Sequence, residues 1–246
     1  MPFSAGLEGS SVEAPDLETA SEAYARRFAG PVGAWFLEVQ SKATLELLKG
    51  VPGTSALDVG GGHGQLVAPL LARGFSVTVF GSQKACPERI RGPVGDGRVR
   101  FISGGLSHLP FAKGSFDVAL AYRLLPHTPA WRSLILELCR VARHAVLVDY
   151  PTTRSVNAAS SVFFSLKRGV EADTRPFRVF RDVEVLRAFE DAGFRATGRR
   201  GEFVLPMALH RAAGRAALSR GLEGALSGLG LRRLLGSPVI LRAEPA

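Results

Sequence analysis

Hydrophobic and polar positions along this chain follow two periods that trade places. Apolar runs at 55–59, 75–80, 98–103, 115–121 and 145–149 have the length and bounds of strands. In the fourth, Phe116, Val118 and Leu120 alternate with Asp117 and Ala119. Between the runs, residues 65–73, a short stretch from about Pro87, and 129–141 carry apolar residues at helical spacing. Gly74 suits a left-handed cap on the first of these helices, and Pro151 stops the fifth strand. Strands alternating with helices in this way predict an α/β domain, a parallel sheet covered on both faces.

The flanks are less regular. Residues 1–16 are rich in Ser, Gly, Glu and Pro and read as a loosely attached tail. A helical region follows over 17–50, broken near Gly30-Pro31. Beyond 150, residues 155–167 carry an apolar helical face of Val162, Phe163 and Leu166. Residues 182–192 form a helix pattern closed by Gly193, while 194–203 and 238–242 read as strands. Between those strands, residues 206–235 read as one or two amphipathic helices inserted into the fold. The expected organisation is a tail and helical cap over 1–50 and a main domain over 51–246. Its lid segments are 151–180 and 206–235.

Composition narrows the class. A chain of 246 residues, 46% hydrophobic and 22% charged, suits one soluble domain with its own core. The net charge of +9 comes mostly from scattered arginine. Its densest basic spots, Arg199-Arg200 and Arg232-Arg233, lack the interleaved aromatics of a nucleic-acid reader. No nucleic-acid partner is expected. Cys86 and Cys139 form no CxxC pair, and residues 1–16 have no signal-peptide pattern. No apolar run reaches the length of a membrane span. Buried thiols and a cytoplasmic location follow as expectations. The five histidines are dispersed, so no metal site is expected.

The chemistry concentrates at residues 56–64, Ala-Leu-Asp-Val-Gly-Gly-Gly-His-Gly. An apolar strand carrying Asp58 runs into a glycine turn that opens a helix. Such a turn brings the backbone close to a ligand, with unpaired helix N–H groups behind it. A nucleotide-like cofactor binds at this place in an α/β sheet.

These residues resemble class I S-adenosylmethionine-dependent methyltransferases, in particular the small-molecule branch typified by ubiquinone/menaquinone methyltransferases. Leu57 to Gly64 matches the family's first motif. Leu109-Pro110-Phe111 with Gly114-Ser115-Phe116-Asp117 matches its "LPF…GSFD" segment. Leu124-Leu125-Pro126-His127, Leu138-Cys139-Arg140-Val141 and Asp191-Ala192-Gly193-Phe194 follow in the family's order. The resemblance implies a Rossmann-like, seven-stranded, mainly parallel sheet whose last strand is antiparallel. It implies S-adenosyl-L-methionine as cofactor, with Asp58, Gly60, Gly61, Gly62, Gly64, Gly81, Ser82, Gly105, Leu106 and Tyr122 around it. Arg123, Tyr24, Arg27 and Phe28 are further candidates for the cleft.

Two positions depart from the pattern. The acid that usually ends the second strand is replaced by Gly81-Ser82-Gln83, and the acid before "LPF" by Gly104-Gly105-Leu106. The losses keep open a second reading, a degenerate fold that binds a partner without catalysis. A nicotinamide-dependent oxidoreductase ranks lower, because no register of Gly60 to Gly64 gives G-x-G-x-x-G. For an enzyme, methyl transfer to an oxygen acceptor needs a base, and His127 is the candidate. Its alternative role is to cap the 129–141 helix or line the pocket. His210 is placed on a surface helix, with the substrate pocket as alternative. Phe163, Phe164, Phe177 and Phe180 are candidates for an apolar pocket wall or for lid packing. The expected reaction is methyl transfer to oxygen or carbon of a small, largely apolar molecule. The arginine-bearing insertion also suits peripheral contact with an acidic membrane.

Overall fold

The computed structural model describes residues 16, 25–82, 90–156 and 177–246. Seven strands form one sheet in the order β3-β2-β1-β4-β5-β7-β6. They are β1 Ser55–Val59, β2 Ser76–Gly81, β3 Val99–Ser103, β4 Phe116–Ala121, β5 Ala142–Tyr150, β6 Phe194–Phe203 and β7 Ser237–Pro245. β1 to β5 pair in parallel, and β7 runs antiparallel between β5 and β6. The sheet is therefore α/β and Rossmann-like, with the reversed last strand that the resemblance implies.

Helix α1 spans Gly30–Leu47, α2 Val67–Ala72, α3 Arg91–Gly95, α4 Trp131–Val141 and α5 Asp182–Asp191. Between β6 and β7 the insertion folds as three helices rather than one or two: α6 Met207–Ala213, α7 Ala216–Gly228 and α8 Leu231–Leu235. Gly214 and Gly230, both with positive φ, break the run and account for the extra element. The 155–167 helix, Tyr24, Cys86, Phe163 and Phe164 lie outside the described residues.

The period of two along the strands sorts the core onto two faces. Leu57, Ala119 and Val146 pack against Leu134, Leu138 and Phe189 of α4 and α5. Ala56, Leu120 and Leu147 pack against Leu47 of α1 and Leu70 of α2. A third cluster joins Trp35 and Phe36 of α1 to Phe203 at the end of β6. On the α1 face the next residues in step are Asp58, Tyr122 and Asp149, at the carboxyl ends of β1, β4 and β5. That face thus ends in polar groups where the strand order reverses, between β1 and β4.

Two of the sequence motifs prove to be structural. Asp117 accepts the N–H groups of Thr54 and Ser55 and the Ser55 hydroxyl, joining the start of β1 to β4. Arg140 binds Glu137 and donates to the carbonyls of Leu109 and Phe111, fixing the "LPF" loop onto α4. Neither residue stands at the carboxyl edge.

Candidate active site

At the end of β1, Gly60 has φ 74 and its N–H donates to the Phe80 carbonyl at 2.7 Å. Residues Gly61–His63 make one 3-10 turn, closed by Gly64 at φ 68. Both flanking positions favour glycine because the left-handed region strains other residues. Gly61 is required for a different reason: a Cβ there would stand 2.1 Å from Asp58 Oδ2. The turn is folded directly onto the carboxyl of Asp58. That carboxyl is fully buried, and among the described residues neither oxygen has a hydrogen-bond partner. Burial pushes its pKa up to about 7.

The neighbouring loop belongs to the same edge. Gly104 donates to the Gly81 carbonyl at 3.0 Å, and a Cβ on Gly104 would meet Phe80 at 3.1 Å. A Cβ on Gly105 would meet only Ser107 Oγ, at 3.8 Å. The Leu106 side chain is buried with Phe80 and Leu109. At Ser82 the structure supplies what the sequence lacks. The Ser82 N–H donates to Asp16 Oδ2 at 2.7 Å, and Asp16 is 1% exposed. An acid reaches the end of β2 from a distant segment, correcting the expectation that the tail is loose as far as residue 16. The reach spans 66 positions, so no local pattern announces it.

Tyr122 does not face a cleft. It is 2% exposed, and its hydroxyl lies 2.9 Å from Thr44 Oγ1 in α1. Arg123 turns toward the open side instead. It is the only non-glycine with positive φ among the described residues, at 57°. Its N–H donates to Asp149 Oδ1, and its guanidinium lies 4.5 Å from the centre of the Phe28 ring. Strained backbone at a strand end is a mark of a working site. Beneath it, burial raises Asp149 to about 6 even though the Arg123 guanidinium and N–H oppose the shift. Burial likewise raises Glu202 to about 8, with Asp149 adding to the rise and Arg123 and Gln40 opposing it. Sequence reasoning missed Glu202. It lies in β6 amid Arg199, Arg200 and Gly201, where no motif marks it.

Arg123 and Asp149 line a cavity of about 240 Å³ together with Arg27, Phe28, His127 and Phe177. His127 sits on the 3-10 turn Leu125–His127 just after β4, its ring 5.6 Å from that of Phe177. Phe180 is instead fully buried against Trp131 and Tyr150, a core residue. His63 is buried and its Nδ1 accepts the Gln65 N–H at 3.2 Å. His210 corrects the expectation of a surface position. It is 2% exposed, 3.1 Å from Glu223 Oε1 and edge-on to Trp35. No cluster of metal-ligating side chains occurs among the described residues.

Residues 56–145 match the family described as a methyltransferase domain. Over this stretch the chain is similar to a methyltransferase domain. An uncharacterized methyltransferase of Mycobacterium sp. (strain JLS) is 37% identical over 92 residues, 37% of this chain. That match spans 35% of the relative's own length. The likeness of fold to solved structures extends further than the likeness of sequence. Magnesium protoporphyrin IX methyltransferase from Synechocystis PCC 6803, with bound S-adenosylhomocysteine, superposes at a TM-score of 0.63 and 15% identity, covering 93% of this chain and 96% of its own. A possible histamine N-methyltransferase from Thermotoga maritima gives 0.62 and 16%, covering 94% and 99%.

Proposed function

We propose that this protein transfers a methyl group from S-adenosylmethionine to oxygen or carbon of a small, largely apolar acceptor. The observation that carries the reading is the buried, unpartnered Asp58 carboxyl beneath the Gly60–Gly64 turn. A buried acid held near neutrality is an incomplete arrangement that a cationic donor would complete. The residues present fit the cofactor in three ways. Asp58 and the turn receive its amino end. Asp16, at the Ser82 amide, offers the carboxylate that the end of β2 itself lacks, with Gly81 and Ser82 as backbone wall. The backbone of Gly105 and Leu106 faces its base, while Tyr122 supports the cleft from behind.

Bound S-adenosylmethionine supplies a methyl group already activated on a sulfonium. The protein's share is alignment, worth about 7–11 kcal/mol of barrier in well-oriented reactions. His127, in the cavity wall, takes the proton of an oxygen acceptor. The related folds are named for different acceptors, which leaves specificity to the residues around this cavity rather than to the shared sheet. The insertion adds a surface role. Leu209, Leu218, Leu222 and Leu234 on α6 to α8, and Leu229 between α7 and α8, are each at least 46% exposed, interspersed with arginines, and suit an acidic membrane surface. No described helix is long and apolar enough to cross a membrane.

Calorimetric titration with S-adenosylmethionine and S-adenosylhomocysteine, with NADH as control, tests the reading. Saturable binding of the sulfur compounds alone supports it. No binding by folded protein overturns it in favour of a fold that no longer catalyses.

A further inference from the structure

The strands β1, β5 and β6 each carry a buried acid near their carboxyl ends, and only one of the three meets the cavity beside His127. Both oxygens of Asp58 and of Glu202 are enclosed, and neither residue contributes to the described lining. Asp149 is equally inaccessible, at 2% exposed, yet it forms part of the cavity wall. Phe28, Pro126, Pro151, Phe177, Met207 and Pro238 give much of that wall an apolar character.

The Asp149 side chain is fixed from two sides. Its backbone belongs to β5 and stands opposite Ile240 of β7. Its Oδ1 accepts the N–H of Arg123, the residue with φ 57°. That bond occupies one oxygen. Oδ2 accepts no bond from another described residue. The charge itself is partly met, because the Arg123 guanidinium opposes the rise of the Asp149 pKa. What the carboxyl lacks is a hydrogen-bond donor, and a buried acceptor left without one is costly. A site built around such a group binds ligands that bring the donor and rejects analogues that lack it.

Building on the methyltransferase reading, we infer that the acceptor carries a hydroxyl that donates to Asp149 Oδ2, while the acceptor's apolar body lies against Phe28, Phe177 and Met207. With His127 assigned to the methylated atom, this hydroxyl is a second group of the acceptor. Asp149 thereby selects the acceptor and sets which of its atoms meets the methyl group.

The test uses protein saturated with S-adenosylhomocysteine and measures calorimetric binding of para-propylphenol, para-propylanisole and phenylpropylamine. The phenol brings a donor, the ether has a similar body without one, and the amine is a cation. The phenol is expected to bind about tenfold or more tightly than the ether. Asp149→Asn tests the atom. The Arg123 N–H claims the single oxygen of the new amide, so the amide nitrogen faces the cavity, a donor where Oδ2 accepted. In this variant the preference for the phenol should vanish, whereas Glu202→Gln, outside the described lining, should keep it. Thermal melts report that both variants are folded. Equal binding of phenol and ether, no binding of either, or tightest binding of the amine overturns the inference. So does a preference that survives in folded Asp149→Asn or is lost in folded Glu202→Gln. If Asp149→Asn does not fold, the phenol-to-ether ratio of the unaltered protein decides alone. Binding of S-adenosylhomocysteine to the unaltered protein separates the two readings. If it fails, the methyltransferase reading fails with it. If it holds without a donor preference, only the hydroxyl anchor is lost.

Discussion

Replacing Asp58 by Asn should stabilise the cofactor-free protein at alkaline pH while destroying cofactor binding. The carboxyl has an ordinary pKa of 3.8 and is raised to about 7 by burial alone. The folded state therefore holds this proton more tightly than the unfolded chain, the reverse of a salt-bridged acid. Between those two values the folded state binds more protons, so stability falls as pH rises and levels off above the folded pKa. At about 1.4 kcal/mol per pKa unit, the full alkaline penalty is about 4 kcal/mol, an upper figure for a fully buried group. Asn keeps the shape and removes the ionisation. Its advantage over the unaltered protein should grow by about 3 kcal/mol between pH 5 and pH 9. For a chain of this size that is roughly 6–12 °C in melting temperature. The assay is a pair of thermal melts across that range without cofactor, beside S-adenosylhomocysteine titrations at each pH. A difference in melting temperature that stays constant from pH 5 to pH 9 would refute the reasoning, because Asp58 would then have to be satisfied in the folded state.

Other substitutions read other parts of the site. His127→Ala should slow methylation of an oxygen acceptor by 10²-fold or more, on the usual scale of general-base catalysis, and leave S-adenosylhomocysteine affinity intact; an unchanged rate excludes it as the base. Asp16→Asn exchanges a charged acceptor for a neutral one, so cofactor affinity should fall about fivefold, about 1 kcal/mol, in a titration that would show no change if Asp16 only packs. Gly61→Ala places a methyl group 2.1 Å from Asp58 Oδ2, so the melt should report a loss of about 1–3 kcal/mol and cofactor binding should disappear. Co-sedimentation with anionic vesicles at low salt should carry the protein down, and neutral vesicles should not; equal recovery in both supernatants removes the membrane surface from consideration.

The sheet was readable because its information is local. Each strand from Ser55 to Tyr150 is a dense apolar run, and each is bounded by glycine or proline within a few positions. The glycine turn was readable for the same reason. Asp58 and the residue that packs on it, Gly61, are three apart. What escaped was long-range. Asp16 meets Ser82 across 66 positions, and Arg123 meets Asp149 across 26. Nothing near Asp16 or Glu202 signals burial: the first follows Ala14-Pro15 and precedes Leu17-Glu18, the second follows Arg199-Arg200-Gly201, and both settings look like surface. Tyr122 is a different case. It was named only through the resemblance, and in the fold it lies in step with Asp58 on the α1 face, its hydroxyl meeting Thr44 while its neighbour Arg123 lines the cavity. His210 was misplaced because a histidine among Arg and Ala on an amphipathic helix shows no sign of the three aromatic rings that enclose it.

The attachment of the insertion bears on how a substrate enters. The Glu223 carboxylate in α7 accepts the N–H groups of Val204 and Leu205, just past β6, and lies 3.1 Å from His210 in α6. Where α8 returns, the backbones touch: a Cβ on Gly201 would stand 2.6 Å from the Arg232 carbonyl oxygen and 2.7 Å from Gly236 Cα. The three helices are thus riveted to the sheet by a buried carboxylate at one end and a side-chain-free crossing at the other. Swinging them aside would break the buried bonds of Glu223, an event on the scale of partial unfolding rather than of a hinge. They behave as a fixed cornice over the carboxyl edge, so any door in this molecule has to be hung elsewhere along its rim.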